Sequence, residues 1–316
     1  MSGAAPSGKF AIGIDIGATK VLGGVVNVRT GAVLHSEGIA AQPEREPVTV
    51  LNDIVGLADR MLTAAANNAL SVQGLGVGVA EIVDPSGNIT TSDTFDWLDL
   101  PVAERFAEIA SPVVVESDVR AAACAEARFG AGRNLGSFAY VTIGSGISSC
   151  VMIDGKPLVG HTGCAIVLSS ATTHEHCPVC GESHEFCLED YASGLGMTRR
   201  YAEASGREIN RTEEVFEAAA AGDGHATDTI ESAARVLGKN IAQLANLFDP
   251  AAIVLGGGLG LATGLYRDTL VASVRQQIWH EPVRALPIVP AGLGTSAGLI
   301  GAALRGAEGQ DQDRAE

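Results

Sequence analysis

The sequence predicts a two-lobe α/β protein with a cleft between the lobes, and three observations carry that expectation. An apolar strand, a small-residue turn and a second strand occur twice, as IGIDIGATKVLGGVVN near the N-terminus and as YVTIGSGISSCVMIDG from Tyr140. This is a weak internal repeat, the mark that two similar lobes would leave. Strand and helix patterns alternate along the chain, as layered α/β structure requires. The length, 316 residues, is also better served by two cores than by one.

The elements follow from local pattern. Residues 10 to 40 alternate apolar runs with glycine (FAIGIDIG, KVLGGVVNV, AVLHSEGIA) and read as three short antiparallel strands joined by tight turns. Val50, Ile54, Leu57, Ala58, Met61 and Leu62 recur at helical spacing, so 47 to 70 reads as a helix. LGVGVAEIV and PVVVESD are buried strands, the second ending at Asp118, and an Ala-rich helix runs from Val119 to Phe129. Residues 137 to 159 restore the strand and turn theme, and 189 to 248 are helical with Ala-rich faces. DPAAIVLGGGLG is a strand breaking into a glycine turn. LPIVPAGLGTSAGLIGAALRGA is a strand and a final helix before the polar tail GQDQDRAE.

Composition narrows the function. Apolar residues make up 46% and aromatics 4%, so the core is built from Ala, Val, Leu and Ile. A net charge of −16, with lysine only at 9, 20, 156 and 239, argues against nucleic acid as a partner, because phosphate backbones need basic patches. The opening MSGAAPSGKF lacks the apolar run of a signal peptide. No segment reaches the roughly 20 uninterrupted apolar residues of a membrane helix. A soluble, cytoplasmic protein with no membrane partner is expected. Six cysteines, three clustered with histidines, suit a metal ligand set better than a disulfide framework.

Three glycine turns each follow an apolar strand: DIGATK (15–20), TIGSG (142–146) and LGGGLG (255–260). Backbone N–H groups in such turns converge on phosphate oxygens, and only small residues let the backbone come close. None has Walker A spacing or the dinucleotide G-x-G-x-x-G before a helix, so a Rossmann dehydrogenase is disfavoured. Together the turns resemble the phosphate and adenosine segments of the actin/hexokinase/Hsp70 superfamily, with its ribonuclease H-like lobes. That resemblance implies ATP held by Gly17, Gly144, Ser145, Gly146, Gly256, Gly257 and Gly258, with Asp15 assisting Mg²⁺ and Thr19 and Lys20 in the same loop. The chemistry is consistent: Mg²⁺ prefers carboxylate and phosphate oxygens, and a transferring phosphoryl group needs positive charge and N–H donors.

In ESDVRAAACAE, Asp118 stands between a buried strand and a helix. An aspartate there can be a plain helix cap, or a general base that takes the proton of a hydroxyl attacking the γ-phosphate. The chain offers DIGATK, SDVRAAACAE, IGSGISSCVMIDGK, CPVCGESHEFCLE and IVLGGG in that order. In this it resembles the ROK family of sugar kinases (repressors, open reading frames, kinases) from about Phe10 to about Arg305. The family carries D-x-G-x-T-K, an N-D pair, a G-T-G hairpin, E-x-G-H and C-x-C-G-x-x-G-C-x-E. The resemblance implies Asp118 as catalytic base and Glu189 as a sugar ligand. The first phosphate loop begins within about fifteen residues of Met1, so the DNA-binding repressor branch is not expected.

The chain departs from the family pattern around the acceptor. With Gly160 and Gly163 aligned on G-x-x-G-E-x-G-H, the Glu falls on Cys164 and the His on Val167. Ser117 replaces the Asn of N-D, Ala80-Glu81 replaces P-G, and Asp93 stands roughly where the family has Asn. The departures spare the ATP machinery, which favours a working kinase with another acceptor. Glu81, Asp93, Ser117, Asp118 and Glu189 are the expected acceptor contacts. Added carboxylates suit an ammonium group, because charge-assisted hydrogen bonds are strong. An amino sugar such as 3-amino-3-deoxyglucose (kanosamine), phosphorylated at its 6-hydroxyl, is the leading acceptor. A C7-cyclitol of the valienone type and glucose are the alternatives. A sugar- or nucleotide-sensing protein without turnover is the rival of another class.

The segment THEHCPVCGESHEFCLE holds one C-x-x-C knuckle, a further cysteine and three histidines. Three thiolates and one imidazole make a closed tetrahedral zinc site with no open catalytic position. Cys177, Cys180 and Cys187 are the expected thiolates. His174 is favoured as the fourth ligand over His176 and His184. Residues 1–118 with a C-terminal helix at about 297–316 are expected as the first lobe, and 119–296 as the second, with 164–189 as its zinc insertion. ATP is expected mainly on the second lobe and the acceptor between the lobes. The family implies a homo-oligomer, a dimer or tetramer.

Overall fold

The computed structural model describes residues 9–176 and 183–312. The chain divides into two compact units. One comprises the residues up to Asn134, Met152–Ala165 and those from Thr295; the other comprises Leu135–Val151 and Ile166–Gly294.

The first unit opens with β1 (Phe10–Ile16), β2 (Lys20–Asn27) and β3 (Ala32–Ala40), an antiparallel meander. Helix α1 (Pro47–Asn67) follows, started by Glu46, whose side chain accepts from the N–H groups of Val48 (3.2 Å) and Thr49 (2.7 Å). Strand β4 (Val72–Val79), helix α2 (Val102–Ala107), strand β5 (Val113–Ser117) and helix α3 (Asp118–Phe129) complete this stretch. β4 lies parallel to both β1 and β5, giving the order β3-β2-β1-β4-β5. The β1 and β4 sequences are near-continuous apolar runs because both faces of these strands are covered. One face packs on α1 through Ile54, Leu57, Ala58 and Met61.

The second unit holds β6 (Ser137–Ile143) and β7 (Ile147–Ile153) as far as Val151; the last two residues of β7, with β8 (Lys156–Pro157), fall in the Met152–Ala165 stretch of the first unit. A hairpin of β9 (Thr172–His176) and β10 (Ser183–Cys187) comes next. Helices α4 (Leu188–Ala192), α5 (Gly194–Ser205), α6 (Thr212–Ala220) and α7 (Gly224–Phe248) lead to β11 (Ile253–Gly256), α8 (Gly257–Leu261), α9 (Leu265–Gln277) and β12 (Ile288–Pro290). The sheet runs β12-β11-β6-β7-β8. Helix α7 buries Ile230, Ala233, Leu237, Ile241 and Leu244 at three- and four-residue spacing, the stripe expected of a helix on a sheet. The expected glycine turn after β11 is instead the one-turn helix α8, because Gly257 (φ +76°) turns the chain where a side chain would strike the Ile143 carbonyl.

The chain then returns to the first unit as α10 (Ala297–Gln312). At several glycines this helix meets the first unit backbone to backbone. A methyl group at Gly76 would overlap the Ala302 carbonyl, one at Gly13 the Leu299 carbonyl, and one at Gly301 the Ala121 carbonyl. The expected lobe boundary at Asp118 differs from the compact units: α3 stays in the first unit because it packs against α10, so the unit extends to Asn134.

Candidate active site

Strand ends and glycine turns place the chemistry. Asp15 is the penultimate residue of β1, half-buried, over the first turn of α10, where a Cβ on Gly298 would lie 2.5 Å from its carboxylate. Burial pushes its pKa up to about 6. The chain leaves β1 through a tight turn closed by Gly17 N–H donating to the Lys20 carbonyl (3.1 Å), which leaves Thr19 and Lys20 exposed. The Lys20 stem crosses β3 at Gly38, the position whose missing side chain admits it.

Asp118 is the first residue of α3, directly after β5 and likewise half-buried. Its carboxylate accepts from the Val119 N–H at 2.6 Å. Burial raises its pKa, and the negative charges of Asp15 and Glu81 raise it further. The Val119 N–H and Arg120 oppose them, leaving a value of about 7. Ser117 is buried at the N-cap position, and its side chain makes no capping bond. The first turn of α3 is fixed by a residue that sequence reasoning missed. Arg120 is 6% exposed and donates to the Glu116 carboxylate (2.6 Å), the Gly163 carbonyl (2.9 Å) and the Val83 carbonyl (2.5 Å). Arg305 approaches the other oxygen of Glu116 at 3.5 Å. An arginine inside an Ala-rich helix reads locally as a surface residue; only the fold brings two orphan carbonyls to it.

Glu81 does not occupy the position expected of an acceptor contact. It is buried, and the segment from Thr91 to Phe95 takes up its carboxylate with four hydrogen bonds. Asp93, in that segment, is exposed. Thr91 also lines a depression of about 610 Å³ with Asp84, His161, Thr162 and Cys164. Cys164 is exposed at this rim and Val167 is half-buried. Ile166, at the glycine that precedes the histidine of the family motif, keeps a left-handed backbone at φ +63°. A β-branched residue holds that conformation at a cost of order 1–2 kcal/mol.

In the second unit the turn between β6 and β7 is tightly built. Gly144 N–H donates to the Gly146 carbonyl (2.9 Å), and the Gly144 carbonyl accepts from Gly194 N–H at the start of α5 (2.8 Å). Among the described residues the N–H groups of Ser145 and Gly146 meet no protein acceptor. Glu189, in the first turn of α4, accepts from the Ile147 N–H at 2.6 Å and lies against Gly146, where a Cβ would come within 2.6 Å of it. Gly256 and Gly257 are packed against Tyr140 and Ile143, while Gly258 has open space around its Cα.

Cys177 and Cys180 lie outside the described residues. Of the remaining expected zinc ligands, His174 faces Glu185 across the hairpin, Nε2 to Oε2 at 3.0 Å. Thr172 faces Cys187, two residues along the same pair of strands, so His174 and Cys187 share one face of the ribbon. His184 falls on the other face. The Cys187 thiol donates to the Ser169 carbonyl at 3.1 Å. Among the described residues no cluster of three metal-binding side chains occurs, and no helix is long and apolar enough to cross a membrane.

Two five-stranded sheets, each opening on a β-hairpin with a small-residue turn, define the actin-like ATPase fold. The chain belongs to the ROK family, which it matches over residues 11–305. It is 29% identical to a glucokinase of Streptomyces coelicolor, over 93% of this chain and 96% of that protein. It is 27% identical to an N-acetylmannosamine kinase of Vibrio cholerae, over 93% and 98%. Among solved structures, a ROK family glucokinase from Streptomyces griseus in complex with glucose and AMPPNP superposes with a TM-score of 0.79 at 30% identity, covering 95% of this chain and 99% of that one.

Proposed function

We infer that the protein is an ATP-dependent carbohydrate kinase with Asp118 as general base, and that its acceptor is an amino sugar such as 3-amino-3-deoxyglucose rather than glucose. The observation that carries the reading is the acid at the junction of β5 and α3, whose pKa near 7 suits a base that must gain and lose a proton at neutral pH. In the reaction the acceptor's 6-hydroxyl attacks the γ-phosphorus and passes its proton to the Asp118 carboxylate. The bond from the γ-phosphorus to the β–γ bridging oxygen breaks, and ADP leaves.

Asp15 fits a divalent cation: a second carboxylate pushed up by burial, beside Asp118, regains its charge most readily when a cation offsets it. Mg²⁺ there would neutralise charge on the phosphates of ATP. The N–H groups of Ser145 and Gly146, and the open backbone at Gly258, suit phosphate and nucleotide contacts. Glu189 holds the 144–146 turn in shape, whatever contact it also makes to the acceptor. Zn²⁺ fits the donor chemistry of His174, Cys177, Cys180 and Cys187, as a structural clip between β9 and β10.

The acceptor reading rests on Cys164 and Val167 in place of an acid and an imidazole, and on the exposed carboxylate of Asp93. Phosphorylation of glucose, 3-amino-3-deoxyglucose and a C7-cyclitol is to be compared at equal concentrations. A kcat/KM highest for the amino sugar supports the assignment, and one highest for glucose or the cyclitol overturns it.

A further inference from the structure

Glu81 is 6% exposed, and its two oxygens take four donors. Oε2 accepts from the Thr91 hydroxyl (2.5 Å) and the Asp93 N–H (3.0 Å). Oε1 accepts from the N–H groups of Thr94 (2.7 Å) and Phe95 (2.8 Å). Three successive backbone N–H groups therefore converge on one anion, a nest that the chain fills with its own side chain.

The surroundings lock this arrangement. The Thr91 hydroxyl also accepts from the Ile82 N–H (2.9 Å), and the Thr94 hydroxyl donates to the Ala80 carbonyl (3.2 Å). Downstream, Phe95 and Trp97 are each 1% exposed and stack with ring centroids 4.5 Å apart. Between these anchors the Asp93 side chain is exposed, and among the described residues no donor meets its carboxylate. An exposed acid is thus carried on a backbone bonded at that residue's own N–H. So heavily bonded a carboxylate has no lone pair left for a substrate hydroxyl, so Glu81 acts through what it holds.

We propose that Glu81 is a positioning residue for phosphoryl transfer, holding the 91–95 backbone so that Asp93 is presented at one fixed place while its own charge faces Asp118. The proposal rests on the reading of Asp118 as the base. The charged groups facing Asp118 are Asp15, Glu81 and Arg120; the two acids favour its protonated form and the arginine opposes them. A neutral side chain at 81 therefore makes Asp118 more acidic.

Glu81→Gln preserves shape but offers one oxygen in place of two, so about half of the four bonds are lost. Amide hydrogen exchange on the full chain should show Asp93, Thr94 and Phe95 exchanging about tenfold faster or more, with the β1 amides unchanged. The Asp118 carboxyl titration, followed by carbon NMR and identified by its loss in Asp118→Asn, should move to lower pH. With glucose and with 3-amino-3-deoxyglucose, the acid limb of kcat/KM should move the same way, and the acceptor KM should rise while the ATP KM holds. A role confined to stability would speed exchange and leave the Asp118 titration where it is; that result overturns the proposal, as does unchanged exchange at 93–95. Should Glu81→Gln fail to fold, Thr91→Val removes one donor and should give the same exchange signature more weakly. The base reading fails separately: Asp118→Asn with wild-type transfer rates removes it, and the exchange result at 93–95 still stands.

Discussion

Replacing Asp118 by Asn removes a charge and keeps the shape of the side chain, and the structure gives it two opposed consequences. Transfer loses its proton acceptor, which is worth about 10²–10⁴ in rate. Stability moves the other way. The folded state holds the Asp118 proton up to about pH 7, whereas the unfolded chain releases it near 3.8. Between those values the folded state binds more protons than the unfolded one, so stability falls as pH rises and the loss is complete above about 7. At about 1.4 kcal/mol per pH unit, a fully buried charge would cost about 4 kcal/mol; partial exposure and solvent screening reduce this to about 1–2 kcal/mol. The variant should therefore match the wild type near pH 4 and be more stable by about 1–2 kcal/mol at pH 8. That is a gain of about 2–4 °C in Tm per kcal/mol. ADP release and thermal melts at pH 4.5 and 8 measure both effects. Turnover within tenfold of wild type would refute the assignment of the base. A melting temperature at pH 8 no higher than wild type would refute the claim that burial of its charge raises this acid.

Other expectations follow from the same geometry. In the wild type, kcat/KM should fall about tenfold per pH unit below about 7, as the free enzyme's Asp118 protonates. Gly76→Ala drives a methyl into the Ala302 carbonyl and should cost about 3 kcal/mol or more, read by chemical denaturation. Glu189→Ala leaves the Ile147 N–H without its carboxylate, a loss of about 1–3 kcal/mol that should also raise the KM for ATP. Metal analysis of purified protein should find close to one zinc per chain, with a chelator lowering the melting temperature; less than half a zinc would count against the clip.

The strands were legible because β1, β2, β4 and β6 carry apolar runs that no helix of that length would need, with glycine turns between them. The acid at Asp118 was legible as well, since a carboxylate at a strand-to-helix junction is a short-range signal. Long-range partnerships were not. Glu81 invited a substrate role because it stands where the ROK pattern has the P-G pair, while its partners lie ten or more residues away and are mostly backbone. Arg120 was passed over for the same reason: its acceptors at Val83 and Gly163 are set by topology alone. The lobe boundary was drawn at a change of element type, but the packing of α3 on α10, which decides it, depends on residues at the far end of the chain.

The seam between α10 and the first sheet bears on synthesis as well as on packing. All five strands of that sheet have been made by Ser117, yet the helix that covers one of their faces begins at Ala297. During translation at about 5–20 residues per second, that glycine-lined face waits through the making of the whole second unit. The first unit can reach its final packing only after the second has been synthesised, and a chain cut short before Ala297 would strip α10 from the sheet face while keeping α3, Asp15, Asp118 and the three phosphate-loop glycine turns.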